Sequence, residues 1–203
     1  MARLIAFGCS FTRGYGLEDI WDNKNKDSFR RPSKYAWPSV LAQLLDRKCV
    51  NKGNGGASNK EIWNRLITFR FKQDDLVVVN WSFTHRTGFR LKRFNKEQII
   101  GHREPLSPTE EYYYKNLYCK KQAYDEWIVH MNHAGRYLRS RNIKMVNTVI
   151  ERNMSRWLPD YNMETILPVY WENYQDKYEK ALDGSHPGPL AHAAFAQRIF
   201  ELI

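Results

Sequence analysis

Leu76-Val77-Val78-Val79-Asn80-Trp81 is apolar almost without a break. A strand with one wet face alternates apolar and polar residues; a run such as this one needs cover on both faces. Arg3 to Phe7, Cys49-Val50-Asn51 and Ile143 to Val149 are further short strand candidates of this kind. Helical patterns fall between them. Tyr35 to Leu45 carries Val40, Leu41, Leu44 and Leu45 on one stripe, with Pro38 tolerable in the first turn. Ser58 and Glu61 have capping-box spacing ahead of Ile62, Leu66 and Phe69. Glu110 to Arg141 reads as one long helix, and Pro189 to Ile203 as a closing helix bearing Leu190, Ala194, Phe195 and Ile199. Strands alternating with helices predict an α/β domain: a parallel sheet of about four or five strands with helices on both faces. No repeat or linker divides the 203 residues, so one domain over 1–203 is expected.

Composition narrows the class. No apolar run approaches the length of a membrane span, and the N-terminal run leads straight into a small-residue turn as a first strand would. Cys9, Cys49 and Cys119 are odd in number and lack CxxC spacing, which argues against a disulfide framework or a zinc site. A reduced, cytoplasmic setting is the expectation, with no membrane partner. The formal net charge is +10, with basic residues at Lys24 to Arg31, Arg86 to Lys96 and Lys115 to Lys121. Such clusters suit an anionic partner, yet no nucleic-acid motif accompanies them and nucleic acid is not expected. The same clusters also read as a solvated basic face.

Four stretches carry chemistry. Gly8-Cys9-Ser10 ends the first strand in a turn that presents a serine. A serine hydroxyl needs a positioned base to become a nucleophile. Asp183-Gly184-Ser185-His186 lies just before the last helix, and its three-residue spacing lets one loop hold a carboxylate against imidazole Nδ1 while Nε2 faces the serine. Gly53, Gly55 and Gly56 allow close backbone approach and leave N–H groups outside any ladder, and Gly56 joins the Ser10 N–H as an oxyanion donor. Asn80 and Ser82 stand at the end of the third strand, two residues apart and so on the same side of it; an oxyanion role for either comes only from the family resemblance of this block. His130 and His133 share a helix without an accompanying carboxylate or cysteine ligand set, so no metal and no cofactor is called for.

These blocks resemble the SGNH (GDSL-type) hydrolase superfamily. Gly8-Cys9-Ser10 matches its Gly-Asp-Ser turn, with Cys9 in place of the aspartate. Asn51, Gly53 and Gly56 match Asn-x-Gly-x-x-Gly, and Asp183 and His186 match its closing Asp-x-x-His. Trp37-Pro38 resembles the start of its first helix. The third block departs: where the family reads Gly-x-Asn-Asp this chain has Asn80-Trp81-Ser82-Phe83, so Ser82 replaces the oxyanion asparagine. The Trp81-Ser82 run with Arg86 is similar to virus-encoded members, which points to a phage or viral source.

The resemblance implies a flavodoxin-like three-layer α/β/α sandwich and a serine esterase or deacylase using Ser10, His186 and Asp183. Its expected substrate is a polar or anionic ester such as an acylated glycan. The alternative is an SGNH scaffold kept as a non-catalytic binding protein for an anionic polymer or a viral assembly partner.

Overall fold

A computed structural model describes residues 1–29, 31–91, 96–100, 106–155 and 164–203. The elements in chain order are β1 (Arg3–Phe7), α1 (Ser10–Arg13), β2 (Trp21–Asp22), β3 (Asp27–Ser28), α2 (Trp37–Leu44), β4 (Lys48–Asn51), α3 (Asn59–Ile67), β5 (Leu76–Trp81), β6 (Thr87–Leu91), β7 (Lys96–Ile100), α4 (Pro108–Asn116), α5 (Lys120–Arg139), β8 (Lys144–Val149), α6 (Arg152–Ser155), β9 (Ile166–Tyr170) and α7 (Pro189–Phe200).

Five strands form one sheet in the order β4-β1-β5-β8-β9, parallel throughout. All six residues of β5 are buried, as expected for the central strand of a sheet covered on both faces. Helices α2 and α7 pack on each other over one face, and α3 and α5 over the other. This is the three-layer α/β/α sandwich expected from the sequence. Chain order reverses between β4 and β5, on either side of β1, so the crevice beyond the carboxyl ends of β1 and β5 is where such sheets bind ligands.

The core is rich in large rings. Trp37, Trp81, Trp127 and Trp171 are all fully buried or nearly so. Trp171 lies flat on Phe195, centroids 4.1 Å apart, and Trp37 meets the same ring edge-on at 5.7 Å. The polar atom of a buried indole needs a partner, and Trp81 Nε1 donates to Asn147 Oδ1 at 3.0 Å. Ser58 caps α3 by accepting from the Glu61 N–H at 3.2 Å. Pro38 sits in the first turn of α2, where its missing N–H costs nothing.

Three sequence expectations change. The helix expected over Glu110 to Arg141 is two helices, α4 and α5, broken at Leu117 to Cys119. Tyr118 turns back so that its ring meets Tyr113 and Tyr114 at 6.1 and 5.7 Å, and Leu117 is left exposed instead of joining the core. On α7, Leu190 also faces outward. β9 was hidden by Pro168, a residue confined in sheets to edges and bulges; β9 is an edge strand whose pairing with β8 shifts register between Asn147 and Val149.

Gly53 brings the β4–α3 loop against α1. A Cβ there would lie 2.4 Å from the Arg13 backbone nitrogen and 2.8 Å from the Thr12 carbonyl carbon. Backbone cannot swing aside as a side chain can. Gly53→Ala is therefore expected to cost about 1–3 kcal/mol, read as a lower urea midpoint with an unchanged denaturant slope. An unchanged midpoint would show that the loop approaches α1 more loosely than this.

Candidate active site

β1 delivers the serine. Phe7 ends the strand, Gly8 and Cys9 turn the chain, and Ser10 opens α1. A Cβ on Gly8 would meet Thr12 Oγ1 at 2.0 Å and the Asn80 carbonyl at 2.9 Å, so the turn accepts only glycine without rearrangement. Cys9, in place of the family's aspartate, is wholly buried and counts among the core residues. Ser10 itself is 4 % exposed.

The Asp183–His186 loop is held by backbone. Ala181 N–H donates to the His186 carbonyl at 2.8 Å, and Leu182 N–H to the Gly16 carbonyl at 2.9 Å. Gly184 takes a left-handed φ of 73°, which glycine adopts at no steric cost. Gly16, also left-handed, lies under the carboxylate: a Cβ there would sit 2.7 Å from Asp183 Oδ1.

Within this frame the imidazole bridges the other two groups. His186 Nδ1 lies 2.5 Å from Asp183 Oδ2, and His186 Nε2 lies 2.9 Å from Ser10 Oγ. Asp183 Oδ1 accepts from the N–H groups of Ser185 and His186 at 3.2 and 3.1 Å, and Oδ2 from the Ser185 hydroxyl at 2.8 Å. Burial pushes this carboxyl's pKa up, but the His186 N–H, the imidazole and the Ser185 hydroxyl outweigh it and hold the pKa below the usual value. Two rings fix the imidazole plane: Phe11 at 5.4 Å and Tyr15 at 5.0 Å between centroids. Tyr15 is in turn anchored by its hydroxyl, which donates to Asp27 Oδ1 at 2.7 Å.

Among the described residues, the backbone N–H groups of Ser10 and Gly56 donate to no protein acceptor. Gly56 has a φ of 74°, and its loop is tied to the serine turn by Asn54 N–H donating to the Gly8 carbonyl at 3.0 Å. Asn51 adds a second tie, its amide donating to the Thr12 carbonyl at 2.7 Å and accepting from Gly53 N–H at 2.8 Å.

Asn80 and Ser82 part company. The Asn80 amide donates to Thr148 Oγ1 at 2.9 Å and accepts from Trp171 Nε1 at 3.2 Å, which leaves one of its N–H groups for another acceptor. Ser82 directly follows β5, the sheet neighbour of the strand that delivers Ser10. Asn59 clamps the Ser82 backbone, accepting its N–H at 2.7 Å and donating to its carbonyl at 2.9 Å. Arg86 Nη1 donates to Ser82 Oγ at 3.2 Å, leaving the hydroxyl proton to be donated elsewhere.

Sequence reasoning missed Phe11, Tyr15, Gly16 and Asn59 as members of this constellation, and tied Arg86 to Ser82 only through the resemblance. Gly14-Tyr15-Gly16 carried the only usable signal, a pair of glycines one turn past the serine. The basic stretch from Lys24 is linked to the residues around the site by the β2–β3 hairpin, where Asp27 holds Tyr15 and Ser28 Oγ accepts from Gly16 N–H, and much of the stretch from Arg86 lies outside the described residues. His192 is a second, wholly buried histidine. Burial, with His186 nearby, drives its pKa down to about 3, and its neutral Nδ1 accepts the Trp37 N–H at 3.2 Å, capping α2. Among the described residues no cluster of His, Cys, Asp and Glu has the makings of a metal site, and no helix is long and apolar enough to cross a membrane.

No protein-family model and no curated protein matches the sequence. Solved structures do match. A member of the lipolytic protein G-D-S-L family from Veillonella parvula aligns over 100% of this chain and 98% of its own, with a TM-score of 0.55 and 13% identity. An acetyl xylan esterase aligns over 100% of both chains, with a TM-score of 0.57 and 13% identity. An acetyl xylan esterase from the rumen bacterium Butyrivibrio proteoclasticus has a TM-score of 0.58 and 12% identity; this chain spans 62% of its length. The fold is that of the GDSL-type, or SGNH, hydrolases.

Asp183 gives a pH test with a definite sign. Its folded pKa is depressed, so the stability it contributes is present above the unfolded carboxyl value of about 3.9 and is lost as pH falls through the folded value. Asp183→Asn removes that component. The gap in unfolding free energy between wild type and variant should therefore narrow from neutral pH to acid, measured by urea titration. A constant gap would mean that the carboxylate is not specially stabilised.

Proposed function

We propose that this chain is a serine ester hydrolase. The observation that carries the reading is the continuous run from Ser10 Oγ through the His186 imidazole to the Asp183 carboxylate, with contacts of 2.9 and 2.5 Å. The G-D-S-L and acetyl xylan esterase names among the structural neighbours support it.

In the reaction Ser10 Oγ attacks the ester carbonyl carbon as His186 Nε2 takes its proton. Asp183 accepts the Nδ1–H, fixing the tautomer and stabilising the imidazolium while it lasts. The carbonyl oxygen gains charge and is met by the N–H groups of Ser10 and Gly56 and by the Ser82 hydroxyl. A hydroxyl that accepts from a guanidinium is polarised toward donation, so Arg86 makes Ser82 a better replacement for an amide than a lone serine would be. Collapse of the tetrahedral species expels the alcohol, which takes the proton from His186. Water then repeats the sequence on the acyl-serine and releases the acid. A polar ester, an acylated glycan above all, is the substrate class this reading favours, since acetyl xylan esterases stand among the neighbours.

Ser10→Ala should abolish turnover of short-chain aryl esters and labelling by a fluorophosphonate. His186→Ala should cost nearly as much, because nucleophile and base act as a unit. Asp183→Asn should cost less than either. Ser82→Ala separates the oxyanion models: a loss of about 100-fold assigns its hydroxyl a role, and no loss leaves the backbone donors alone. If wild-type protein shows neither turnover nor labelling at Ser10, a non-catalytic binding scaffold replaces the enzyme.

A further inference from the structure

Two residues separate Asp183 from His186. Gly184 makes the turn, and Ser185 brings a hydroxyl that the mechanism does not use. Ser185 is exposed, so water is available to that hydroxyl. It nonetheless donates to Asp183 Oδ2 at 2.8 Å, the same oxygen that lies 2.5 Å from His186 Nδ1. The Ser185 backbone N–H donates to the other carboxylate oxygen, Oδ1, at 3.2 Å. One residue therefore serves both oxygens of a carboxylate whose side chain is only 8 % exposed.

The terminal torsion of an aspartate is broad, so a carboxylate held through one oxygen can turn. Here Oδ1 is held by two backbone N–H groups, and the Ser185 hydroxyl joins the imidazole in holding Oδ2. The hydroxyl also acts on charge, and two effects oppose each other. As a donor to Oδ2 it draws off negative charge that would otherwise favour an imidazolium. As an oxygen 3.2 Å from Nδ1 it would favour the imidazolium by accepting from it. The distances decide. Nδ1 carries one hydrogen, and Oδ2 claims it at 2.5 Å. The hydroxyl's own bond to the carboxylate is the shorter of its two and is charge-assisted. Its main effect is thus on Asp183. Consistent with this, burial pushes the Asp183 pKa up, and the Ser185 hydroxyl is among the donors that bring it below the usual value. A carboxylate so engaged pulls less on the imidazole, which stays neutral, and able to act as a base, to lower pH.

We infer that Ser185 is a positioning residue for the proposed base: its hydroxyl fixes the Asp183 carboxylate and limits the pull of that carboxylate on the His186 imidazole. The link to catalysis rests on the ester-hydrolase reading. Two other titratable groups face the ring, the Tyr15 phenol, which Asp27 holds, and His192 of α7, which burial keeps neutral. Neither is altered by the test. Ser185→Val and Ser185→Thr give side chains of one shape that differ in the hydroxyl, at an exposed position where neither disturbs the core. The branched side chain of Ser185→Val also fills the hydroxyl's place, where Ser185→Ala would admit water. The titration of the His186 imidazole is followed by NMR, its resonance identified by its loss in His186→Ala, and no turnover is needed. Ser185→Val should raise the midpoint by about half a pH unit, while Ser185→Thr stays near wild type. With an aryl ester, the acid limb of kcat/KM should move up equally in Ser185→Val, with KM little changed. Equal midpoints in the two variants, or a Ser185→Val midpoint at or below that of wild type, overturns the inference. If the midpoints separate as expected but the wild-type protein neither turns over esters nor labels at Ser10, the action of Ser185 on the Asp183–His186 pair stands and the enzyme reading falls.

Discussion

Parallel pairing of β1 with β5 is the constraint on which the rest depends. β1 ends at Phe7, opposite Val79, and β5 runs two residues further to Trp81, so the Gly8-Cys9-Ser10 turn comes off beside the last residues of β5. A one-residue slip would invert every side chain and bury or expose the wrong set. Both strands are buried, and in this register Asn80, the polar residue of β5, meets Thr148 Oγ1 and Trp171 Nε1. Gly8 then permits the turn, lying so close to the Asn80 carbonyl that a methyl group does not fit. In the proposed enzyme the placement of Ser10 follows from strand packing and from the turn that Gly8 allows.

The third proposed catalytic element comes from the far end of the chain, and it is seated by backbone more than by side chains. Gly16 supplies both a carbonyl for Leu182 and the room for Asp183. Phe11 and Tyr15 supply walls for the imidazole. All three belong to the segment that follows Ser10. The proposed nucleophile and base are therefore positioned by one stretch of fewer than ten residues, despite 176 positions of sequence separation between them. The nearby buried histidine, His192, remains neutral and places no competing positive charge beside an imidazolium at position 186.

Much of this was legible in the sequence because it follows from periodicity. The unbroken apolar runs at β1 and β5, the stripe on α2, and the cap at Ser58 are local signals with local causes. The Gly8-Cys9-Ser10 turn and the Asp183–His186 spacing were legible because the chemistry restricts which residues can serve. What escaped is long-range. Tyr15 meets His186 through folding, and nothing in Gly14-Tyr15-Gly16 announces that contact. β9 escaped because Pro168 forbids a strand by local rules, while an edge position permits it. The break between α4 and α5 escaped for a local reason: no Gly or Pro marks Leu117-Tyr118-Cys119, where the Tyr118 N–H turns to the Tyr113 carbonyl at 2.9 Å.

The altered third block is the most informative departure from the resemblance. Exchanging an oxyanion asparagine for serine shortens the side chain and gives up an amide donor. The surrounding residues compensate in two ways. Asn59 reaches across from α3 and bonds both backbone groups of Ser82, fixing its position from below. Arg86, four residues on, donates to the hydroxyl and orients its proton away from itself. In the proposed reaction a guanidinium at this point also lends positive potential where negative charge would develop, which a neutral asparagine does not. On that reading, neutralising Arg86 removes both the bond that orients the Ser82 proton and the nearby positive potential, so its loss would cost more than the loss of one hydrogen bond.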